Sequence, residues 1–210
     1  MSAHRCPTPQ AGAGYRKVLW VALAVNAAMF VVEIAASAVS GSAALAADAV
    51  DFAGDAGNYA LSLAALAAGG LWVSRAALAK GLAMAAYGIG VLVFAGWRLW
   101  LGVPPEPFTM SIIGFIALAA NLGVAWLLYA YRNGDANMRS VWLCTRNDVL
   151  GNLAVLTAAA GVFGSGSVWP DVAVATIMAG LALRSAAEVI RSARAELVPS
   201  PRPTTLQSPP

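Results

Sequence analysis

Residues 41–66 read GSAALAADAVDFAGDAGNYALSLAAL and place three aspartates in a segment made mostly of alanine, leucine, valine and glycine. Asp48, Asp51 and Asp55 are spaced i, i+3, i+7, so a helix of 3.6 residues per turn puts all three carboxylates along one face. An ionised carboxylate in hydrocarbon costs at least about 2.5 kcal/mol on insertion scales, so such residues face a protein interior and usually mark an ion or proton path. Two plainer interpretations stay open: the acids hold helices together, or Asp48, nearest the helix start, caps the helix.

The composition of the whole chain places it in a membrane. Of its 210 residues, 60% are hydrophobic and 11% are charged, and the mean hydropathy is +0.70. These values are far too apolar for one soluble domain, so the bilayer must act as the solvent. The net charge of +3 and the pI near 9.1 would suit nucleic acid, but the basic residues are scattered between apolar runs rather than clustered with aromatics, which argues against that partner.

Six apolar runs divide the chain. A signal peptide is an alternative for the first run, because Arg16 and Lys17 precede it. That run continues to about Ser40, however, well beyond the roughly 7 to 15 apolar residues of a signal peptide, so it is interpreted as a spanning helix. Arg75 and Lys80 are assigned to the connection between the second and third runs. The runs cover approximately residues 18–40, 43–72, 81–97, 108–131, 140–163 and 172–190, and Gly41 and Ser42 form a tight turn between the first two.

These runs predict an all-α polytopic membrane protein, a bundle of six transmembrane helices that occupies residues 16–196. Residues 1–15 and the proline-rich residues 197–210 are expected to be disordered cytoplasmic tails. Ten of the thirteen lysines and arginines fall at the two ends of the chain, up to Lys17 and from Arg191 onward, and in the second and fourth connections. Arg98 alone lies in a connection on the other side, so the positive-inside rule predicts that both termini are cytoplasmic.

Isolated polar residues interrupt three of the other helices. Asn26 and Glu33 are seven apart in the first helix and share a face, which is expected to turn toward the aspartate helix. Helix pairing is the default role for both, and for Asn121 in the fourth helix and Asn152 in the fifth. Glu33 and Asp48 are also candidates for proton coupling or gating.

The fifth helix carries a second pair of potential ligands. It contains SVWLCTRNDVLGNLAVL, so Cys144 and Asp148 lie at i, i+4 on one face, like Asp51 and Asp55 in the second helix. Two helices that each offer two side chains supply the four ligands of a tetrahedral metal site. Cys144 has a plainer alternative as a small apolar filler, because free cysteines are often buried.

Arg146 lies between these two ligands in sequence but not in space. At 3.6 residues per turn it points about 160° away from Cys144 and Asp148. It is expected to pair with an acid on another helix or to reach the membrane interface, and a gating role is a hypothesis.

Three stretches of the chain resemble the cation diffusion facilitators, a family of proton-coupled exporters of divalent transition metals. They are Asn26 and Glu33 in N-x6-E order, GSAALAADAVDFAGD entering the second helix, and RSVWLCTRNDVLGNLAVL in the fifth. The resemblance covers essentially all six spans. It implies a multi-pass protein of the bacterial plasma membrane that works by alternating access.

The resemblance also implies which residues bind the metal. The family pairs a carboxylate or histidine with an aspartate four residues later in the second helix, and a histidine or aspartate with an aspartate four later in the fifth. The matching positions are Asp51 with Asp55 and Cys144 with Asp148, so the usual histidines are replaced. Most members continue into a cytoplasmic dimerising domain, and only about fourteen residues follow Glu196, so a form without that domain is expected and a homodimer is an open question.

A transport mechanism follows from the four ligands. Three carboxylates and a thiolate cannot all stay charged in a low-dielectric cavity without a cation, so the metal-free site holds protons. Metal binding then releases protons, and export by proton antiport results if the metal is loaded from the cytoplasm. The thiolate favours zinc, cadmium or cobalt as the transported ion, whereas three oxygens favour harder ions; no resident cofactor is expected. Two alternatives stay open: a non-transporting metal-binding scaffold or sensor, and an intramembrane aspartyl hydrolase.

Overall fold

The computed structural model is a bundle of six helices, which confirms the predicted all-α fold. It describes residues 13–68, 71–133 and 136–197, and the side chains of residues 67, 68, 71, 136–141, 143, 144, 146 and 147 lie outside that description. The helices are α1 (Ala13–Ser40), α2 (Ala43–Ala68), α3 (Leu71–Leu101), α4 (Pro107–Tyr129), α5 (Ala136–Ser165) and α6 (Trp169–Leu197).

Three connections lie at the same end of the bundle, and each begins with a glycine in the left-handed region. Gly41, Gly102 and Gly166 have φ angles of 73°, 65° and 60°. In each case the glycine N–H donates to a carbonyl four residues earlier, which closes the last turn of α1, α3 and α5. Short turns of this kind return the chain directly into the bundle as an antiparallel neighbour.

The N-terminus of α2 is capped by a residue from another helix. Asp171, in the first turn of α6, accepts hydrogen bonds from the Ser42 hydroxyl at 2.6 Å and from the backbone N–H groups of Ala43 and Ala44 at 2.8 and 3.0 Å. The Ser42 hydroxyl accepts in turn from Leu45 N–H. These bonds satisfy N–H groups that have no partner within the helix. They tie the start of α2 to the start of α6, and Asp48 is not the cap.

The bundle is closed at this end by small residues. A core of small residues fills the space between α2, α3 and the start of α6; its members are Ala43, Ala46, Ala47, Val50, Val91, Ala95, Val168, Val172, Ala175 and Ala179. Alanines let helix backbones approach closely, as is common in membrane bundles. A second core joins α1, α2 and α4 near the opposite end, where Tyr15 and Tyr59 are both buried.

The outer surface of the bundle matches a bilayer. By length and hydropathy, α1, α3, α4, α6 and residues 148–165 of α5 qualify as membrane spans within the described part of the chain. Helix α2 carries the three aspartates and lies inside the bundle. Exposed aromatic side chains form belts at both ends, with Trp20, Trp72, Trp126 and Tyr129 at one and Trp97, Trp100, Phe108 and Trp169 at the other. The protein is therefore a multi-pass integral membrane protein.

Two predicted boundaries need correction. Arg75 and Lys80 lie within α3, not in a connection, because α3 begins at Leu71, ten residues earlier than the third apolar run. Alanine, leucine and lysine are strong helix formers, so the segment stays helical although it is less apolar. Tyr15 belongs to α1 rather than to a tail and is buried. The remaining parts of both predicted tails lie outside the described residues, and the cytoplasmic location of the termini stays a prediction.

Candidate functional site

A cavity of about 990 Å³ lies between α2, α3, α5 and α6. It extends along α2 from Ala47 to Ala65, toward the end of the bundle where α2 connects to α3. Ala65, Ser185 and Glu188, which line its far end, are exposed. The cavity therefore opens toward this end of the bundle, and the small-residue core packs α2 against α3 and α6 at the other end.

Three of the four predicted metal ligands line this cavity. Asp51 and Asp55 reach it from α2 and Asp148 reaches it from α5. The Asp148 carboxyl lies within hydrogen-bonding range of both aspartates on α2. Asp51 and Asp148 are half-buried and Asp55 is buried. The spacing in the two helices thus brings three carboxyl groups together at the wall of one cavity.

A lysine from α3 reaches the same group of acids. The Lys80 ammonium donates a hydrogen bond to Asn58 Oδ1, and the Asn58 side chain is also hydrogen-bonded to Asp55. The charge of Lys80 acts on Asp51 and Asp55. Its aliphatic stem lies directly on Gly57, where a Cβ atom would be only 2.9 Å from Lys80 Cδ. The cavity therefore holds its own positive charge beside the carboxylates.

The fourth predicted ligand lies outside the described side chains. The side chains of Cys144 and of Arg146 lie outside the described residues, although both positions are helical. Among the side chains that the structure does describe, no three acidic, histidine or cysteine groups form a ready-made metal cluster. The described residues provide a set of carboxylate oxygens. The backbone of Cys144 lies one turn from Asp148 on α5. Such a set suits a cation that approaches through the cavity.

A second acidic cluster lies deeper in the bundle. The carboxyl groups of Glu33 on α1 and Asp48 on α2 face each other within hydrogen-bonding range, and both residues are fully buried. Asn152 Nδ2 donates to Asp48 Oδ2 at 2.9 Å, and Asn121 Nδ2 donates to Asn152 Oδ1 at 2.9 Å. The expectation that Glu33 faces the aspartate helix is confirmed, and the two asparagines join α4 to α5 and α2.

Asn26 differs from the other buried asparagines. Its Nδ2 donates to the carbonyl of Ala22 at 2.8 Å, within its own helix. Its side chain is fully buried, and its Oδ1 accepts no hydrogen bond among the residues that the structure covers. No hydrogen bond from Asn26 to another helix is seen within the described ranges, so the predicted helix-pairing role stays a prediction.

Several residues at these sites were not predicted from the sequence. Lys80 was assigned to a connection, and Asn58, one turn from Asp55, was not singled out. Gly151 lies on α5 between Asp148 and Asn152; a Cβ there would be 3.8 Å from Asp48 Oδ1 and 3.9 Å from Asp51 Oδ2. The spacing of Asn58 from Asp55 was a usable signal, whereas the approach of Gly151 to α2 depends on how two helices pack.

Comparisons with known proteins show which family the chain resembles. Residues 74–198 match the cation efflux transmembrane domain. The chain is similar to the cadmium, cobalt and zinc/H(+)-K(+) antiporter of Bacillus velezensis, with 36% identity over 94 residues, 42% of this chain and 29% of that protein. It is also similar to the metal cation efflux system protein CzcD of Cupriavidus metallidurans, with 24% identity over 177 residues, 79% of this chain and 56% of that protein.

These relatives bear directly on the resemblance drawn from the sequence. The chain spans about half or less of the length of the curated relatives it matches. Both relatives come from bacteria, in agreement with the expected bacterial plasma membrane. The matched domain covers more than half of the chain, from the first turns of α3 to the end of α6. The chain therefore belongs to the cation efflux family, the cation diffusion facilitators.

Proposed function

We propose that this protein exports divalent transition-metal ions and exchanges them for protons, with Asp51, Asp55, Cys144 and Asp148 as the ligands. The observation that carries the proposal is the cavity that reaches Asp51, Asp55 and Asp148 from one end of the bundle while the other end is closed. A transporter needs such one-sided access, because a site open to both sides at once would leak. By the distribution of lysines and arginines, the open end faces the cytoplasm.

The ligand set argues for intermediate metals. A thiolate and three carboxylates combine a soft ligand with hard ones, which suits zinc, cobalt and cadmium better than magnesium. The two similar proteins carry names that include cadmium, cobalt and zinc or metal cation efflux. For this chain we therefore expect one of these three metals to be the main cargo.

Proton exchange follows from the clustering of acids. Three carboxyl groups that border one cavity repel each other when ionised, so protons compensate for the metal when it leaves. A metal ion that binds there displaces those protons. If loading occurs on the cytoplasmic side and release on the other, protons move inward as metal moves outward. Reorientation of α2 and α5 relative to α3 and α6 is the expected conformational change, because the cavity lies between these helices.

The proposal is tested by flux in proteoliposomes. Purified protein is reconstituted with a pH-sensitive dye inside, and zinc, cobalt, cadmium, nickel and manganese are each added outside. We expect metal uptake accompanied by proton release from the vesicles, and at least a hundredfold slower uptake in Asp148→Asn. Glu106→Gln is the matched control, because Glu106 is an exposed carboxylate at the start of α4, far from the cavity in the fold.

The outcomes separate the remaining alternatives. Metal binding without flux in the folded protein would identify a scaffold or sensor and overturn the transport proposal. Flux without any change in internal pH would overturn proton exchange but not transport. Equal flux in wild type and Asp148→Asn would remove Asp148 from the ligand set.

A further inference from the structure

The deeper acidic cluster holds more acceptor atoms than donors. Neither carboxylate oxygen of Glu33, nor Asp48 Oδ1, nor Asn121 Oδ1 receives a hydrogen bond from an N–H or O–H group in the described part of the chain. All three side chains are at most 2% exposed. Among the described residues, the amide donor directed at the acids is Asn152 Nδ2, and it is used by Asp48 Oδ2. Four buried oxygens thus lack donors within one connected cluster.

Such an arrangement is unfavourable unless a positive charge completes it. A buried polar atom without a partner costs about 1 to 3 kcal/mol, and more when it is charged. The charges that act on Glu33 are those of Asp48 and Asp51, so its neighbours add negative charge and do not compensate for it. The cluster also lies outside the residues that line the cavity. A resident cation would supply the missing positive charge.

The charge of the cluster favours a monovalent ion. Two carboxyl groups within hydrogen-bonding range share one proton, which serves one oxygen of each, so Glu33 and Asp48 together carry one net negative charge. The second Glu33 oxygen and Asn121 Oδ1 still lack a donor in the described part of the chain. A single alkali ion neutralises that charge, whereas a divalent ion would overcompensate for it. Carboxylate and amide oxygens replace the hydration shell of alkali ions in buried membrane sites. Mg²⁺ by contrast loses its water reluctantly and usually keeps several water ligands.

We propose that Glu33, Asp48 and Asn121, held in place by Asn152, form a second cation site that binds sodium or potassium. This inner site is distinct from the cavity that holds Asp51, Asp55 and Asp148, and the proposal does not rest on divalent transport. Gly151 separates the two sites, because a Cβ atom there would contact both Asp48 Oδ1 and Asp51 Oδ2. An alkali ion reaches the inner site from the cavity past this glycine.

The experiment measures alkali binding to the purified full chain in detergent. Radioactive sodium, or radioactive rubidium as a potassium analogue, is titrated at constant ionic strength with N-methylglucamine as the replacing cation. We expect saturable binding of about one ion per chain to one of the two. In parallel, the melting temperature should rise by roughly 3 to 6 °C at ten times the dissociation constant of that ion.

Substitutions locate the ion. Glu33→Gln removes a ligand charge and should weaken alkali binding at least tenfold. Asn121→Leu keeps a similar volume without the amide oxygen and should weaken it about three- to tenfold. Asp148→Asn is the matched control, since it neutralises an acid of the cavity and should leave alkali binding unchanged. If neither inner-site variant folds, the wild-type protein is titrated with alkali at saturating cadmium, which would displace an ion from the cavity but not from the inner site.

The results that would overturn the proposal are distinct from failure of divalent transport. Folded protein without saturable binding of either ion would overturn it, even if cadmium binds normally. A melting temperature that follows pH but not alkali concentration would show that a shared proton alone completes the cluster. Alkali binding that is lost in Asp148→Asn and kept in Glu33→Gln would move the ion to the cavity. Alkali binding without any divalent flux would leave this inference intact and overturn the proposed export.

Discussion

Two acidic clusters share helix α2, and they differ in what surrounds them. The outer cluster of Asp51, Asp55 and Asp148 borders a cavity and has Lys80 beside it. The inner cluster of Glu33 and Asp48 is fully buried among asparagines. Carboxylates that border a cavity and have a counter-charge beside them can exchange a bound ion. Carboxylates buried in a core need a cation that remains bound. The same residue type is therefore suited to cargo at one site and to a resident ion at the other.

The largest effect is expected for a substitution that changes only the outer cluster. Asp55→Asn removes a charge that faces the cavity and should weaken binding of cadmium or zinc more than about 100-fold, beyond what loss of an outer-shell partner causes. Asp48→Asn makes the same chemical change in the inner cluster and should weaken binding of cadmium or zinc less than about tenfold. Isothermal titration calorimetry measures both affinities. Equal losses in the two variants would show that the clusters act as one site.

The next effect concerns stability and is expected at the inner cluster. Asn152→Ala leaves Asp48 Oδ2 and Asn121 Nδ2 without their hydrogen bonds, which should lower the free energy of unfolding by about 1 to 2 kcal/mol. Asn58→Ala, at the cavity, should lower it by less than about 0.5 kcal/mol because water can replace the lost bonds. Unfolding by SDS in mixed micelles gives both values. A larger loss for Asn58→Ala would contradict the assignment of the inner cluster as the sealed one.

A smaller effect tests the counter-charge of the outer cluster. Lys80→Gln keeps a long polar side chain but removes a positive charge that acts on Asp51 and Asp55. Divalent binding should become about three- to tenfold tighter, because the ion no longer competes with the ammonium group. Arg75→Gln is the control, since Arg75 lies on the same helix, is exposed and does not line the cavity.

The affinity in low and high salt checks the cause of this effect. Electrostatic competition inside the cavity should respond weakly to added salt compared with a surface effect. Weaker divalent binding in Lys80→Gln would mean instead that Lys80 holds Asn58 and Asp55 in the binding geometry.

The smallest effect concerns the boundary between the clusters. A methyl group at Gly151 would lie 3.5 Å from Met178 Cε and 3.8 Å from Asp48 Oδ1, which are ordinary contact distances. Gly151→Ala should therefore fold and gain about 0.4 to 1 kcal/mol of stability. It should also slow alkali exchange at the inner site, as measured by release of bound radioactive ion after dilution. Unchanged exchange would show that the ion takes another path.

Much of the fold was predictable because helices in a membrane have strong local signals. Six apolar runs predicted six helices, and Gly41 was predicted to lie in the turn between the first two. The start of α3 was misplaced because Arg75 and Lys80 resemble connection residues by charge, although their neighbours favour helix. A lysine whose stem packs on Gly57 can be charged and still lie within a helix.

The candidate sites were predictable only in part. Spacing alone paired Asp51 with Asp55 and Cys144 with Asp148, because residues four apart share a helix face. Spacing did not indicate that Asp171 would cap α2. Asp171 follows Pro170 at the start of α6, so its position in the sequence indicates a residue that stabilises the start of its own helix.

The sequence by itself determined that this is a six-helix membrane protein with acids paired at one-turn intervals in the second helix and at a matching position in the fifth. The tertiary structure alone decided that the three aspartates of α2 divide between two clusters, that Lys80 reaches the cavity and that Asn121 and Asn152 complete the inner group. The physical reason is that helical periodicity is set by the local backbone. Contacts between helices depend instead on how each helix is rotated and tilted against its neighbours, which the packing of the whole bundle decides.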